Sequence, residues 1–280
     1  MSALLELKNV NKSFGGVQAV KDMSFCVQKG ELAGIIGPNG AGKTTMFNII
    51  SSVYDPDSGR IYFDEKDITH LRAFQVVHIG IARTFQNLRL FSRSTVLANV
   101  MTAMQNRYIY TFHESWNGLS PIYRPDPDYH YSFIESITHS WGWNKKEKRN
   151  REASMELLER VGLAERAEQI SGTLPYGMQR RLEIARALAL NPTLLMLDEP
   201  AAGMNEEEVY VLNDLIKAIH KDFSLTIIVI EHHMDLIMQI CPHIMCMNFG
   251  AKIAEGSPDV IQKNPEVLKA YLGDDDEEVA

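Results

Sequence analysis

The sequence is poor in the features that build secreted or membrane-embedded proteins. It contains three cysteines, Cys26, Cys241 and Cys246, whose spacing matches no metal-ligand pattern. This odd, scattered set excludes a disulfide-built scaffold and suits a reducing compartment. The longest apolar runs, such as 225–230, fall far short of the about 18 residues that span a bilayer, and the start lacks the basic and apolar stretches of a secretory signal. These absences predict an intracellular protein with no membrane span of its own.

Basic residues are fewer than acidic residues. Lysine and arginine number 28 against 36 aspartates and glutamates, which gives a formal net charge of −8. Nucleic-acid binding needs a basic surface that neutralises phosphates, so this balance argues against a nucleic-acid partner. Hydrophobic residues make up 45% of the chain and charged residues 23%, which is typical of a globular protein with a sizeable core.

The order of predicted elements indicates an α/β core with an insert. Apolar runs of strand length lie at 32–36, 194–197 and 225–230, with helical stretches at 44–52 and 206–218. Such runs are typical of strands buried on both faces. Between them, residues 92–172 follow mostly helical periodicity, with Ser94 as a predicted helix N-cap. Residues 118–127 contain prolines and aromatics and read as an irregular break in that insert.

A glycine-rich turn follows the first buried strand. It reads Gly37-Pro38-Asn39-Gly40-Ala41-Gly42-Lys43-Thr44 and fits the P-loop pattern G-x-x-x-x-G-K-[ST] at every fixed position. Glycines let backbone N–H groups and the following helix N-terminus face a phosphate. Lys43 offers a point charge to the outer phosphates, and the Thr44 hydroxyl can ligate Mg²⁺. The turn therefore predicts a site for a nucleoside triphosphate.

A pair of acids follows the second buried strand, where Asp198 and Glu199 come directly after the run 194–197. Ligands of open α/β sheets bind at strand ends. In phosphoryl-transfer sites one carboxylate holds the metal while another group orients the attacking water. Beside a P-loop, this pair predicts the catalytic half of the site.

In this order the motifs resemble the ATP-binding cassette (ABC) family over nearly the whole chain. The resemblance implies a P-loop ATPase fold, with a RecA-like core, an antiparallel β subdomain and a helical subdomain, that uses ATP and Mg²⁺. It implies four segments: 1–91 as the β subdomain and P-loop part of the core, 92–172 as the helical insert, 173–256 as the signature helix and remaining core, and 257–280 as a C-terminal helix and acidic tail.

The same resemblance implies roles for individual residues. Asp198 corresponds to the Mg²⁺-associated acid, Glu199 to the glutamate that polarises water, and His232 to the switch histidine at the γ-phosphate. Gln86 corresponds to the Q-loop glutamine, which contacts Mg²⁺ and the attacking water. Phe14 stands where an aromatic ring stacks on adenine, although a core phenylalanine near a turn is an open alternative. Further nucleotide contacts are implied at the eight P-loop residues, Thr45 and Gly177.

The signature segment departs from the family's usual Leu-Ser-Gly-Gly-Gln. It reads Leu174-Pro175-Tyr176-Gly177-Met178. Pro175 cannot offer a hydroxyl to a phosphate, so the contact is expected to rest on Gly177 and a helix N-terminus. Asn205 likewise stands where an aspartate is commoner in the family.

Residues 80–91 and the Leu-Pro-Tyr-Gly signature resemble the ATP-binding subunits of branched-chain amino-acid importers, and of the related urea and amide importers. This implies a second cassette as dimer partner (identical or a sister subunit), transmembrane permease subunits, indirectly a substrate-binding protein, and no nucleic acid. The implied location is the cytoplasmic face of the inner or plasma membrane. Open alternatives are a lipopolysaccharide-type exporter, a soluble cassette ATPase of DNA repair or translation, and a scaffold with impaired hydrolysis. The aromatic stretch 108–143 is either a partner surface or a small local core.

Overall fold

A computed structural model describes residues 3–115, 118–129, 141–232 and 234–272. The strands are β1 Ala3–Phe14, β2 Val17–Gln28, β3 Leu32–Ile36, β4 Ser58–Phe63, β5 Lys66–Asp67, β6 Ile81–Arg83, β7 Tyr108–Ser115, β8 Gly118–Pro125, β9 Leu194–Asp198, β10 Thr226–Ile230, β11 His243–Asn248 and β12 Ala251–Gly256. The helices are α1 Lys43–Ile50, α2 Ala73–His78, α3 Val96–Met104, α4 Trp141–Arg160, α5 Tyr176–Ala189, α6 Glu206–Asp222, α7 Met234–Ile240, α8 Pro258–Lys263 and α9 Pro265–Leu272.

The chain forms two compact units, the first from residues 1–73, 196–201 and 216–280, the second from 74–195 and 202–215. In the first unit the core strands run in the order β12-β11-β3-β10-β9. Strand β3 pairs in parallel with both β10 and β11. Every residue of β3 and β10 is buried, as expected of parallel strands covered on both faces. The carboxyl ends of these strands therefore meet at one sheet edge, where the P-loop begins.

A second sheet of the first unit is antiparallel, in the order β2-β1-β4-β5. Leu5, Leu7 and Val10 of β1 point inward opposite Val27, Phe25 and Met23 of β2. This alternation of buried and exposed positions is the pattern of a sheet with one packed face. The predicted α/β fold with a separate antiparallel β part is confirmed.

A charged cluster links three neighbouring strands of the core sheet, β3, β11 and β12. His243 of β11 lies between two carboxylates, with Nδ1 2.5 Å from Glu31 Oε1 and Nε2 3.0 Å from Glu255 Oε1. Hydrogen bonds to Glu255 and Glu31 raise the pKa of His243 to about 9. The imidazole is therefore protonated at neutral pH and joins the start of β3 to the β11–β12 hairpin.

The second unit contains α3, the β7–β8 hairpin, α4 and α5. A buried amide organises it, because Asn99 Oδ1 accepts from the Phe91 amide at 2.9 Å while Nδ2 donates to Ser171 Oγ at 3.2 Å. Asn99 is fully buried, so these bonds offset the cost of removing a polar group from water. They hold both ends of the insert, near residues 91 and 171, side by side.

Two predictions for the insert were wrong. Helix α3 is capped by Thr95, whose hydroxyl accepts from the Ala98 amide at 3.1 Å, and Ser94 lies outside the helix. Residues 118–125 form strand β8, paired antiparallel with β7, although 118–127 was interpreted as an irregular break. Aromatic and β-branched residues alternate along β7 and favour a strand, and prolines are tolerated in β8 because a two-stranded sheet has only edge strands.

Of the aromatic residues in this insert, Tyr129 lies under the Arg107 guanidinium at 4.6 Å. Trp116, Tyr131 and the acidic tail 274–278 lie outside the described residues. Within the described ranges no helix is long and apolar enough to cross a bilayer.

Candidate functional site: a P-loop and two acidic strand ends

The P-loop folds into the anion cradle that its sequence predicts. Gly42, the N-cap of α1, has φ +98°, and a Cβ there would lie 2.3 Å from the backbone oxygen of Ala19. Only glycine accommodates both the left-handed backbone and this close approach. The turn therefore delivers the helix N-terminus and its amides to one concave surface.

Lys43 is held inside this turn. Its Nζ donates to the backbone oxygens of Gly37 at 2.7 Å and Pro38 at 3.1 Å. Burial lowers the pKa of the Lys43 ammonium, and the negative charges of Glu199 and Asp198 oppose that shift. The ammonium is thus kept in the loop and presented with its charge to the cavity.

Acidic residues stand at the ends of β9 and β10. Asp198 is buried at the last position of β9, and Glu199 follows with φ +48° and its amide donating to Ile230 O at 2.9 Å. His232 Nδ1 lies 3.4 Å from Glu199 Oε1. The first unit therefore brings together four sequence-predicted features: the P-loop, Asp198, Glu199 and His232.

Glu231 is a part of this site that sequence reasoning missed. It is fully buried, and its Oε1 accepts from the Ala201 amide at 2.7 Å. The bond fixes the loop that follows Glu199, so Glu231 is a positioning residue for that loop. Its only signal in the sequence is an acid directly after a buried strand, next to His232.

A cavity of about 370 Å³ lies between the P-loop and Glu199. Its walls are residues 39–45, Glu199, Phe249 and the β2 residues 17–19. Thr44 and Thr45 both line it. Phe14 is not among the described lining residues; its ring is 43% exposed and packs edge-on against Tyr54, with 5.1 Å between centroids.

Oxygen donors around this cavity fit magnesium. Mg²⁺ prefers carboxylate and hydroxyl oxygens and keeps several waters and substrate phosphates as ligands. Thr44, which lines the cavity, and the buried Asp198, next to the lining residue Glu199, supply such oxygens. Among the described residues no group of three or more histidines, cysteines or acids could hold a metal ion.

Gln86 lies in the second unit, where a buried ion pair holds its loop. Arg180 of α5 is 1% exposed and pairs with Glu183 at 2.9 Å. The Arg180 guanidinium also donates to the backbone oxygens of Phe85 and Gln86. Burial raises the pKa of Glu183, and the charge of Arg180 counteracts that shift. One arginine therefore fixes the Q-loop to the signature helix.

Gly177 also lies in the second unit, in the first turn of α5, and the Glu208 carboxylate rests on it. A Cβ on Gly177 would lie 2.7 Å from Glu208 Oε1, so a larger residue would displace that side chain. The other carboxylate oxygen of Glu208 accepts from the Asn205 amide at 3.2 Å, and Asn205 Oδ1 accepts from the Glu208 amide at 2.9 Å. This reciprocal pair is a capping box at the start of α6.

The fold and the cavity define a P-loop nucleotide-binding protein. A family model described as ABC transporter matches residues 20–202, and one described as branched-chain amino acid ATP-binding cassette transporter matches residues 251–277. The chain belongs to the ATP-binding cassette family of ABC transporters, so the predicted class, an ATPase, is confirmed.

Individual members share most of their length with this chain. The high-affinity branched-chain amino acid transport ATP-binding protein BraF of Pseudomonas aeruginosa is 38% identical over 97% of this chain and 98% of its own. The structure of MJ1267, an ATP-binding cassette of an ABC transporter, superposes with a TM-score of 0.79 at 30% identity, covering 98% of this chain and all of that one. A dimeric structure of the bacterial ABC transporter cassette MJ0796 has a TM-score of 0.70 at 25% identity, covering 91% and 98%.

Proposed function

We propose that this chain is the ATP-binding and ATP-hydrolysing subunit of an importer for branched-chain amino acids, working with separate membrane subunits. The observation that carries the ATPase part is that Lys43 and Glu199 line one cavity. BraF, a high-affinity branched-chain amino acid transport ATP-binding protein, supports the substrate class. Urea or amide uptake is the nearest alternative.

In this proposal the P-loop amides and Lys43 bind the β- and γ-phosphates of ATP. Asp198 and Thr44, with Gln86 as the third residue that the family resemblance implies, would hold Mg²⁺, which would neutralise phosphate charge. Glu199 orients a water for in-line attack on the γ-phosphorus, and the bond to the β-phosphate oxygen breaks to leave ADP and phosphate. His232, held beside Glu199 at 3.4 Å, contacts the γ-phosphate. Phe14 stacks on the adenine.

The proposed assembly contains two cassettes, since this chain has one P-loop and one signature segment. The dimeric MJ0796 cassette supports such pairing. In the assembled transporter Gly177 of one cassette contacts the nucleotide held by the other, and the Q-loop and residues 92–172 transmit closure to permease subunits. A substrate-binding protein delivers the amino acid. In this proposal the complex lies at the cytoplasmic face of the membrane, and no nucleic acid takes part.

Two substitutions test the ATPase assignment. Lys43→Ala removes the charge that faces the phosphates and should abolish ATP binding, measured by calorimetry. Glu199→Gln keeps the shape but removes the base, so ATP binding should persist while turnover falls by a factor of about 100 or more. Glu65→Gln, at an exposed position in the β4–β5 turn, serves as a matched control with wild-type turnover. Wild-type hydrolysis by Glu199→Gln would contradict the role of Glu199.

The substrate class needs a transport assay. The chain would be reconstituted with its membrane subunits and binding protein in vesicles containing ATP. Uptake of labelled leucine, isoleucine and valine is expected, and uptake of urea or an amide instead would select the alternative importer class. Export of a lipid-linked glycan, or co-purification with nucleic acid rather than permeases, would refute the importer assignment.

A further inference from the structure

One carboxylate, that of Glu208, lies beside the first turn of the signature helix. Helix α5 begins at Tyr176, and its N-cap, Pro175, makes no side-chain cap hydrogen bond. The first amides of any helix point outward with a partial positive charge. If Gly177 carried a Cβ, that atom would lie 2.7 Å from Glu208 Oε1. The negative charge at this turn is thus supplied by the chain itself.

The carboxylate is held there by a second set of contacts. Its other oxygen accepts from the Asn205 amide, and Asn205 caps the Glu208 amide in return. Glu208 therefore touches both the signature turn and the loop that follows Asp198 and Glu199. Its side chain is half-buried.

A neighbouring cavity has room for the Glu208 carboxylate in a second position. A cavity of about 250 Å³ is lined by Gly177, Met178, Arg181, Glu207 and Glu208, among others. Burial lowers the pKa of the Arg181 guanidinium, and the charge of Glu208 opposes that shift. Arg181 is thus within electrostatic reach and offers an alternative partner for the displaced side chain.

We propose that Glu208 is an autoinhibitory carboxylate that occupies the signature turn at Gly177 and must withdraw before a nucleotide phosphate can engage that turn. The inference rests on the proposed function, in which Gly177 contacts the nucleotide of the second cassette. A carboxylate and a phosphate are both anionic, and at contact distance in a partly buried site they repel strongly. Glu208 therefore raises the ATP concentration at which the two cassettes close.

Glu208→Gln tests this by removing the charge while keeping an oxygen that can accept from the Asn205 amide. The matched control is Glu207→Gln, which makes the same charge change in the same cavity without lying on Gly177. The measurement is the ATP concentration for half-maximal hydrolysis by the reconstituted transporter. We expect Glu208→Gln to lower it by about three- to tenfold, and Glu207→Gln to change it by less than about twofold.

Ionic strength separates charge from structure. Salt screens a repulsion between partly exposed anions, so the difference between wild type and Glu208→Gln should shrink as salt rises. Loss of a merely structural cap would raise the half-maximal ATP concentration or lower turnover, at every salt concentration. Such a loss, or equal behaviour of the two glutamine variants, overturns the proposal.

Folding and the parent assignment are checked separately. Glu208→Asp keeps the charge but draws it back from Gly177, so it should fold normally and fall between wild type and Glu208→Gln. If the wild type hydrolyses no ATP, or Glu199→Gln hydrolyses it at the wild-type rate, the proposed function fails. If wild type is active and Glu208→Gln matches Glu207→Gln, only the autoinhibitory role fails.

Discussion

Replacing Arg180 should destabilise the second unit more than replacing any other arginine of α5, because the Arg180 charge is buried together with its partner carboxylate. Arg180 is 1% exposed and Glu183 is 5% exposed, so solvent screens neither charge. Arg180→Met leaves the Glu183 carboxylate buried without its counter-ion, which costs about 3–5 kcal/mol of unfolding free energy. The backbone oxygens of Phe85 and Gln86 also lose their donor, at about 1 kcal/mol each where they stay partly buried.

A second substitution distinguishes an orphaned charge from lost packing. In Arg180→Met/Glu183→Leu no buried charge remains, so at least about 2 kcal/mol of the loss should return. The matched control is Arg186→Met, which removes an arginine that also donates to a backbone oxygen, that of Arg89. Arg186 feels the charge of Glu183 only as a long-range interaction, whereas Arg180 pairs with Glu183 at 2.9 Å. Arg186→Met should cost only about 1 kcal/mol.

Urea unfolding measures the free energies, and hydrogen exchange of the amides at 84–91 reports opening of the Q-loop itself. Exchange there should quicken in Arg180→Met and stay near wild type in Arg186→Met. The reasoning is refuted if Arg180→Met lies within about 1 kcal/mol of wild type, or if the double variant is no more stable than the single one.

Three further changes test other parts of the molecule. Gly42→Ala places a Cβ 2.3 Å from a backbone oxygen, so it should weaken ATP binding at least about tenfold, measured by calorimetry. Glu231→Ala removes the acceptor of the Ala201 amide and should lower turnover with little effect on ATP affinity, while Glu231→Gln should restore most activity. The pKa of His243 is raised to about 9 in the folded chain, against about 6.5 in the unfolded chain. The protonated histidine therefore stabilises the fold fully below about pH 6.5, and this stabilisation is lost as the pH rises through about 9. Because the site is partly screened by solvent, the unfolding free energy of the wild type should fall by about 1–2 kcal/mol over that window relative to His243→Gln, measured by denaturant unfolding at each pH.

The parts of the site that depend on local pattern were predictable. Strands β3, β9 and β10 are continuous apolar runs, and such runs have few alternatives to burial on both faces. The P-loop follows β3 because its glycines and Lys43 have a fixed spacing whose chemistry is local. Asp198 and Glu199 could be placed at the same sheet edge, since parallel strands end together.

The parts that depend on distant partners were not predictable. A lone arginine in a helix is solvent-exposed by default, and only the pairing of Arg180 with residues 94 and 95 positions away makes it a buried clamp. Glu231 is likewise an ordinary acid until its bond to Ala201, 30 residues away, is seen. The β7–β8 hairpin was not predicted because the prolines of 118–127 indicated an interruption of regular structure. An isolated two-stranded sheet has no central strand that a proline could disrupt.

Two of the departures from the family pattern, those at Pro175 and Asn205, lie close to one side chain, that of Glu208. Pro175 gives α5 no side-chain cap, and a negative charge beside the first turn of a helix is favourable. Asn205 caps α6 as well as an aspartate would, and being neutral it does not repel the Glu208 carboxylate that caps it in return. That carboxylate is then free to lie on Gly177. The altered signature and the altered loop after Glu199 are therefore one electrostatic arrangement, and substituting Asn205 with aspartate should disturb the position of Glu208 even though either residue can cap the helix.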